Sequence, residues 1–385
     1  MDVLITGGTG TISSGLVQES VNVKYKTYAI TRGSNNKRNI EGAQYFHADI
    51  WNQQSVTKAL GEKKFDVIVE CLAYNVQQLQ ISLENFAARC EQYIFVSTAG
   101  VYNKTGNKRI KETDEKDFNS WMYTKDKIEC EKYLKLYAEK TGLKYTIIRP
   151  TVTYGDYRIP FPIATRNPGW TFFDRMKKEN LMLATENVLF SVIHIEDFSK
   201  MVVALFGNAM AINEDFHITS DENDIYWDDV MKESGKIIGI TPKIIHVSNE
   251  VIKIIWPDIY DEIAYHKTIS QIFDSSKIKR VSRIKSGIDL STGIKKTITA
   301  MEKEYIDNNL SVDKRWNDYC NATIYYAYLH EMLSDNEMQE VSKYVNLHGT
   351  EVLEKSLKNV MKYNKKSNTT KIKHTIKKII KGIIK

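Results

Sequence analysis

The chain has 385 residues, 42% of them hydrophobic and 26% charged, a soluble globular composition with length enough for one large domain or two. No run approaches the roughly eighteen apolar residues of a membrane-spanning helix, and the N-terminus opens on a strand pattern, so neither a span nor a signal peptide is expected. The net charge of +6 resides in the tail: from Lys362 onward there are nine Lys and no Asp or Glu, leaving a body of net charge −3, which argues against a body-wide nucleic-acid surface.

Short β-branched runs alternate with amphipathic stretches through the first 150 residues. DVLIT (2–6) predicts a strand, and a glycine-rich turn opens a helix behind it. Strands are expected at TYAITR (27–32), YFHADI (45–50), FDVIVECLA (65–73), YIFVST (93–98) and KYTIIRP (144–150). Helices are expected between them at NQQSVTKALGEK, QLQISLENFAARC and MYTKDKIECEKYLKLYAEKTG. Nearly all-apolar strands alternating with helices predict a Rossmann-like, doubly wound parallel sheet over 1–150, with ligands beyond the strands' carboxyl ends. Residues 151–300 mix loops, the strand FSVIHIED and the helix YWDDVMKESGKIIG, and predict a smaller substrate lobe interleaved with the first domain. A helical extension (301–361), a linker in KYNKKSNTT and a basic tail (362–385) follow. Cys71, Cys90, Cys130 and Cys320 show neither metal-ligand spacing nor a paired framework, and read as reduced thiols of a cytoplasmic protein.

The turn TGGTGTISSG (6–15) sits between a strand and a helix, the context of a phosphate cradle. Glycine permits positive φ and close backbone approach to a pyrophosphate, whose charge suits a helix N-terminus. Gly7 and Gly10 match the first two positions of a TGxxGxxG fingerprint; Ser13, small enough for close helix–strand packing, holds the third. The second strand ends in Thr31 and Arg32 instead of a carboxylate for a ribose 2′-hydroxyl. Arg32 can accept a 2′-phosphate, which leans toward NADP over NAD, or is a solvated loop residue. Asp49 is placed either to accept a hydrogen bond from adenine or to cap the next helix.

Thr98 ends the fifth strand in STAGVY, and 25 residues later Tyr123 and Lys127 in YTKDK begin a long helix, four apart and on one face. A free phenol, with a pKa near 10, is a poor base at neutral pH; lowering it by about 3 units takes roughly 4 kcal/mol, which a neighbouring ammonium can supply. A hydroxyl such as Thr98 can hydrogen-bond the substrate oxygen whose proton moves. One Tyr-xxx-Lys pair among 22 Tyr proves nothing by number; its position after the fifth strand carries the argument, against a plain amphipathic helix.

TGGTGTIS, HADI, VSTAGVY, YTKDK, IIRPTVTYGD and VIHIEDF follow one another as they do in the extended short-chain dehydrogenase/reductases. The chain resembles their NAD-dependent epimerase/dehydratase family over residues 1 to about 300. The resemblance implies a catalytic Thr98, Tyr123 and Lys127, with Tyr123 as acid/base and Lys127 on the nicotinamide ribose. It implies cofactor contacts from Gly7, Gly10, Thr11, Ile12, Arg32, Asp49, Ile50, Leu72, Ala73, Tyr123, Lys127 and Pro150. A nucleotide sugar touching Thr98, Tyr123 and Arg175 would be its substrate. Similar proteins often dimerise through a four-helix bundle that includes the Tyr/Lys helix, so a homodimer is expected. Family 4,6-dehydratases carry Asp-Glu after the catalytic Thr; Ala99-Gly100 here disfavours dehydration and suits an epimerase or ketoreductase. Val152 replaces an Asn that often contacts substrate. An atypical branch linked to RNA binding supplies the alternative, a non-catalytic dinucleotide-binding protein with an RNA or protein partner.

In the lobe, Arg158, Arg166 and Arg175 can grip a diphosphate, and Trp170 or Phe173 can stack on a base. His194 and Asp197 read as structural. In the tail Ile372, Ile376, Ile379, Ile380, Ile383 and Ile384 form a helical stripe flanked by Lys. This fits an in-plane helix on an anionic membrane surface, a disordered basic tail, or a helix docked on protein.

Overall fold

The computed structural model describes residues 1–34, 38–104, 108–117, 121–165, 168–178, 180–221 and 225–366. Its first strands are β1 (Asp2–Thr6), β2 (Lys26–Thr31), β3 (Gln44–His47), β4 (Phe65–Glu70), β5 (Cys90–Val96) and β6 (Tyr145–Pro150). Between them run α1 (Thr11–Asn22), α2 (Gln53–Leu60), α3 (Val76–Phe86) and α4 (Met122–Thr141). There follow β7 (Val152–Tyr154), α5 (Trp170–Lys177), β8 (Met182–Ala184), β9 (Leu189–Phe190), β10 (Val192–His194), α6 (Ile195–Val203) and β11 (Glu214–Ile218). Next come β12 (Ile225–Tyr226), α7 (Trp227–Ile238), β13 (Ile244–His246), α8 (Asn249–Ile255), α9 (Pro257–His266) and α10 (Ser276–Ser282). The chain continues through α11 (Leu290–Asp307), α12 (Lys314–Leu329), α13 (Asp335–His348) and α14 (Glu351–Lys366). It divides into two units: Met1–Pro160 with Leu189–Ile225 and Ser270–Gly293, and Phe161–Val188 with Tyr226–Ile269 and Ile294–Lys385.

The first unit is built on a seven-stranded parallel sheet in the order β11-β6-β5-β4-β1-β2-β3. Strand alternation sends neighbouring residues to opposite faces. Val3, Ile5, Val67, Val69, Ile94 and Ile148 pack with Leu16 and Val17 of α1, Phe198 and Met201 of α6 and Ile278 of α10. Leu4, Ile68, Tyr93, Phe95 and Ile147 pack with Leu60 of α2, Leu83 and Phe86 of α3 and Leu134 of α4. Both faces are covered, which is why the strands read as nearly all apolar. Strand order reverses between β1 and β4, and in a doubly wound sheet ligands bind at the carboxyl ends beside such a reversal.

Local chemistry sets the boundaries. Asn52 and Asn75 cap α2 and α3 by accepting the Ser55 and Gln78 N–H groups, and Gly142 (φ +75°) ends α4 in the left-handed conformation. The third strand stops at His47, short of the expected Ile50, because Asp49 accepts the Trp51 N–H (3.1 Å) and turns the chain. Asn52 is the cap of α2, so the capping alternative for Asp49 does not hold. The expected strand FSVIHIED ends at His194, whose Nδ1 accepts the Glu196 N–H and starts α6. Buried Asp197 accepts the Gly287 and Ile288 N–H groups (2.8 and 2.9 Å), anchoring that segment.

In the second unit β8 and β13 pair in parallel, and α12 packs on α8 and α14. Asp318 of α12 accepts hydrogen bonds from Ser356, Asn359 and Tyr363 of α14 (3.0, 3.1 and 2.8 Å). Tyr319 donates to buried Asn364 (2.8 Å). The first five residues of the expected linker, 362–366, therefore continue α14. The tail beyond 366 and its Ile stripe lie outside the described residues, as does Arg166. Among the described residues no helix is long and apolar enough to cross a membrane.

Candidate functional site

A parallel sheet delivers every strand-to-helix turn to one edge, and the first unit gathers most of the expected residues there. The turn after β1 holds Gly7 and Gly8 at φ +94° and +105°, conformations that L side chains rarely adopt. The Gly7 N–H donates to Ile30 O (2.9 Å), tying the turn to β2. A Cβ on Gly7 would lie 3.2 Å from Ser13 Oγ and 3.5 Å from Leu72 Cδ2, and one on Gly8 2.9 Å from Ala29 Cβ. Ser13 thus packs beneath the turn, where a larger side chain would lift it.

Gly10 differs. Its φ is −89°, and a Cβ there would meet nothing nearer than Ser13 Oγ at 3.6 Å. Gly10 is the N-cap of α1 and has no side chain with which to cap it; Thr11 and Ile12 open the helix. The first turn's N–H groups and the helix dipole face the open side of the turn, so the cradle fits a pyrophosphate.

Arg32 is exposed just beyond β2, where Thr31 Oγ1 accepts the Gly33 N–H (3.1 Å). Asp49 is exposed after β3. Ile50 is buried in the core and its carbonyl accepts Asn85 Nδ2 (3.0 Å), so a ligand can meet only its backbone. Half-buried Leu72 and buried Ala73 form the turn after β4, and buried Pro150 ends β6.

After β5, half-buried Thr98 accepts the Gly100 N–H on its Oγ1 (3.1 Å), leaving its own O–H to donate. Tyr123, half-buried in the first turn of α4, has Trp121 and Tyr74 beside its ring (centroids at 4.9 and 6.1 Å). One turn along, Lys127 is 2% exposed. Its Nζ donates to Ala73 O (2.8 Å) and Val96 O (2.7 Å), pinning α4 to the ends of β4 and β5. Burial lowers its pKa to about 8, against the opposing pull of Cys130, Glu70, Cys71 and Glu131.

Two buried carboxylates complete the arrangement and were missed in the sequence. Glu131, two turns beyond Tyr123 on the same face of α4, accepts Ser97 Oγ (2.5 Å), Arg149 Nε (2.9 Å) and Arg149 Nη2 (2.8 Å), and pairs with Lys116. Burial opposes its charge, but Arg149 and Lys116 prevail and hold its pKa at about 2. Its signal was legible, since Tyr123, Lys127 and Glu131 recur every four residues. Glu70, the second, closes β4 directly after the buried apolar run Val67–Val69, and a charge in that place was its only mark.

The lobe residues behave differently. Arg175 is 3% exposed, with Nε and Nη2 on Leu181 O (2.9 and 2.5 Å) and Nη1 on Asn317 Oδ1 (3.2 Å). Its guanidinium is engaged inside the second unit, which corrects the expectation of a diphosphate grip. Trp170 and Phe173 are likewise buried, packed on each other (5.7 Å), with Trp170 also against Tyr305 (5.8 Å), so neither presents a face to a base.

The model of the NAD dependent epimerase/dehydratase family matches residues 3–219. No curated protein matches the chain. Among solved structures it is similar to a UDP-glucose 4-epimerase from Thermotoga maritima, solved with UDP-glucose (18% identity, TM-score 0.65, 79% of this chain and 99% of that one). A Bacillus cereus UDP-glucuronic acid 4-epimerase in complex with NAD gives 18% identity and a TM-score of 0.63 over 82% of this chain and 100% of that one. A Bacillus anthracis dTDP-glucose 4,6-dehydratase in complex with NAD gives 18% and 0.65 over 80% and 98%. At these identities the likeness speaks to fold.

Proposed function

The chain belongs to the NAD-dependent epimerase/dehydratase family, and from that premise we propose that it is an epimerase or ketoreductase acting on a nucleotide sugar with Tyr123 as acid/base. The observation that carries the reading is the Tyr123–Lys127 face of α4, with its ammonium pinned at the ends of β4 and β5 beside the glycine cradle. When bound, the nicotinamide supplies the hydride acceptor and donor. Gly7, Gly10, Thr11 and Ile12 would hold the pyrophosphate, with Asp49 and the Ile50 backbone at the adenine. Leu72, Ala73, Lys127 and Pro150 would line the nicotinamide end.

Thr98 donates its hydroxyl hydrogen to the sugar oxygen and orients it, and Tyr123 takes the proton from that oxygen or returns it. Lys127 favours the phenolate through its positive charge. Ala99 and Gly100 offer no acid or base for expelling water, which supports epimerisation or ketone reduction over dehydration. Exposed Arg32, with Thr31 where a carboxylate would repel a 2′-phosphate, supports NADP. We also propose a homodimer through the helix pair α3 and α4, on the strength of Leu136, 55% exposed on α4. Contact with an anionic membrane surface through the Lys/Ile tail rests on sequence; truncation after Lys366 should abolish binding to anionic vesicles.

Native mass spectrometry of the purified protein tests the cofactor, and a panel of UDP- and dTDP-hexoses tests the substrate. Tyr123→Phe should lower turnover by about 10³-fold, within the usual span of general acid–base catalysis, while NAD(P)H affinity stays within about threefold. Undiminished turnover in this variant removes the assignment, and a biological role that survives it favours a non-catalytic binding protein.

A further inference from the structure

Glu70 is fully buried at the crevice edge of β4. Its Oε1 accepts Thr6 Oγ1 (3.0 Å), Leu72 N (2.5 Å) and Ala73 N (2.9 Å), and its Oε2 accepts Ser82 Oγ (2.5 Å). These donors belong to the pieces from which the site is assembled. Thr6 immediately precedes Gly7, and Leu72 packs against that glycine. Ala73 offers its N–H to Glu70 and its carbonyl to the Lys127 ammonium. One residue, Ala73, therefore links the buried Glu70 carboxyl group to the buried Lys127 amine.

Among the described residues, the ionisable groups around Lys127 are Glu70 at the end of β4, Cys71 and Tyr74 from the turn after it, and Cys130 and Glu131 from its own helix, with Tyr123 one turn earlier on that helix. Burial pushes both thiols up, Cys130 to about 12, so they stay neutral. Glu131 already faces Arg149 and Lys116. Among the described residues the hydrogen bonds to Glu70 come only from hydroxyl and backbone N–H groups, and no cationic side chain is hydrogen-bonded to it.

We propose that Glu70 is a positioning residue that acts through Lys127: it is the counter-charge that keeps the buried ammonium protonated, and through Ala73 it sets where that ammonium sits relative to the glycine turn. Its use in turnover rests on the function proposed above, whereas the charge relation stands independently of it.

Glu70→Gln isolates the charge. The amide oxygen can still accept from Thr6, Leu72 and Ala73, and the amide nitrogen can donate to Ser82 as its hydroxyl turns. The experiment is a pH titration of the full-length protein labelled with ¹³C at lysine Cε, the Lys127 signal being identified by its loss in Lys127→Arg. In Glu70→Gln that signal should titrate about one pH unit lower than in wild type, a tenfold change in the proton equilibrium. The alkaline limb of turnover should move down with it. Coincident titrations in the two proteins overturn the proposal. Should Glu70→Gln not fold, Glu70→Asp keeps the charge, and Lys127 must then titrate within about half a unit of wild type; a full displacement there overturns the proposal as well. A displaced Lys127 titration in a protein that takes up no dinucleotide would refute the functional reading and leave the counter-charge standing.

Discussion

Arg149→Met tests whether the ion network beneath the site holds the first unit together. Arg149 and Glu131 are both 0% exposed and share two hydrogen bonds of 2.9 and 2.8 Å; Arg149 also reaches Tyr102 and Asp215. Methionine retains much of the aliphatic volume but strands Glu131, with Lys116 and Ser97 as its remaining partners. Breaking a buried pair from one side costs about 3–5 kcal/mol. At roughly 2–4 °C per kcal/mol for a domain of this size, Tm should fall by about 6–20 °C. The pH dependence provides a second check. The Glu131 pKa is held at about 2 against an ordinary 4.5, so its stabilisation is fully present above 4.5 and is lost as pH falls toward 2. The stability gap between wild type and variant should be widest at neutral pH and close on acidification. Urea unfolding at pH 7, 5 and 3.5 measures both. A gap under about 1 kcal/mol at pH 7, smaller than any broken buried pair, or one unchanged at pH 3.5, refutes the reasoning.

The glycine turn makes a paired prediction. Gly8→Ala, with φ +105° and Ala29 Cβ 2.9 Å away, should destabilise the protein by about 1–3 kcal/mol, whereas Gly10→Ala should unfold like wild type yet bind NAD(P)H at least about tenfold more weakly. Equal cofactor affinity in Gly10→Ala would show that the cradle is not used. In the second unit His246 lies between Asp228 (2.9 Å) and Glu337 (3.0 Å). The Asp228 hydrogen bond raises its pKa against a smaller effect of burial. That stabilisation is full below the unfolded value of 6.5 and is lost as pH rises through the folded one. His246→Gln should therefore be destabilising at pH 6 and close to neutral at pH 9 in thermal melts. Leu136→Lys should convert a dimer to monomers in light scattering, without changing the far-UV circular dichroism.

Much of the fold was legible because its signals are local. Apolar strands alternating with amphipathic helices are a one-dimensional record of a sheet covered on both faces, and the glycine turn and the Tyr123–Lys127 spacing are readable within a few residues. Boundaries were less so: Asp49 and His194 ended strands early by hydrogen-bonding backbone two residues on, a choice that patterning does not reveal. Arg175, Trp170 and Phe173 looked like ligand contacts because a guanidinium or an indole has the same chemistry whether it faces a ligand or a carbonyl of its own chain; burial decided between them.

Sequence by itself determined the order of strands and helices and the edge at which the glycine turn, Thr98 and Tyr123 would meet, since parallel strands carry every following turn to the same side. Tertiary structure alone decided which charges are partners. Glu70 and Thr6, or Glu131 and Arg149, come together across separate strands and helices. The energy of a charge depends on the polarity and burial of its surroundings, and those surroundings exist only once the chain has folded.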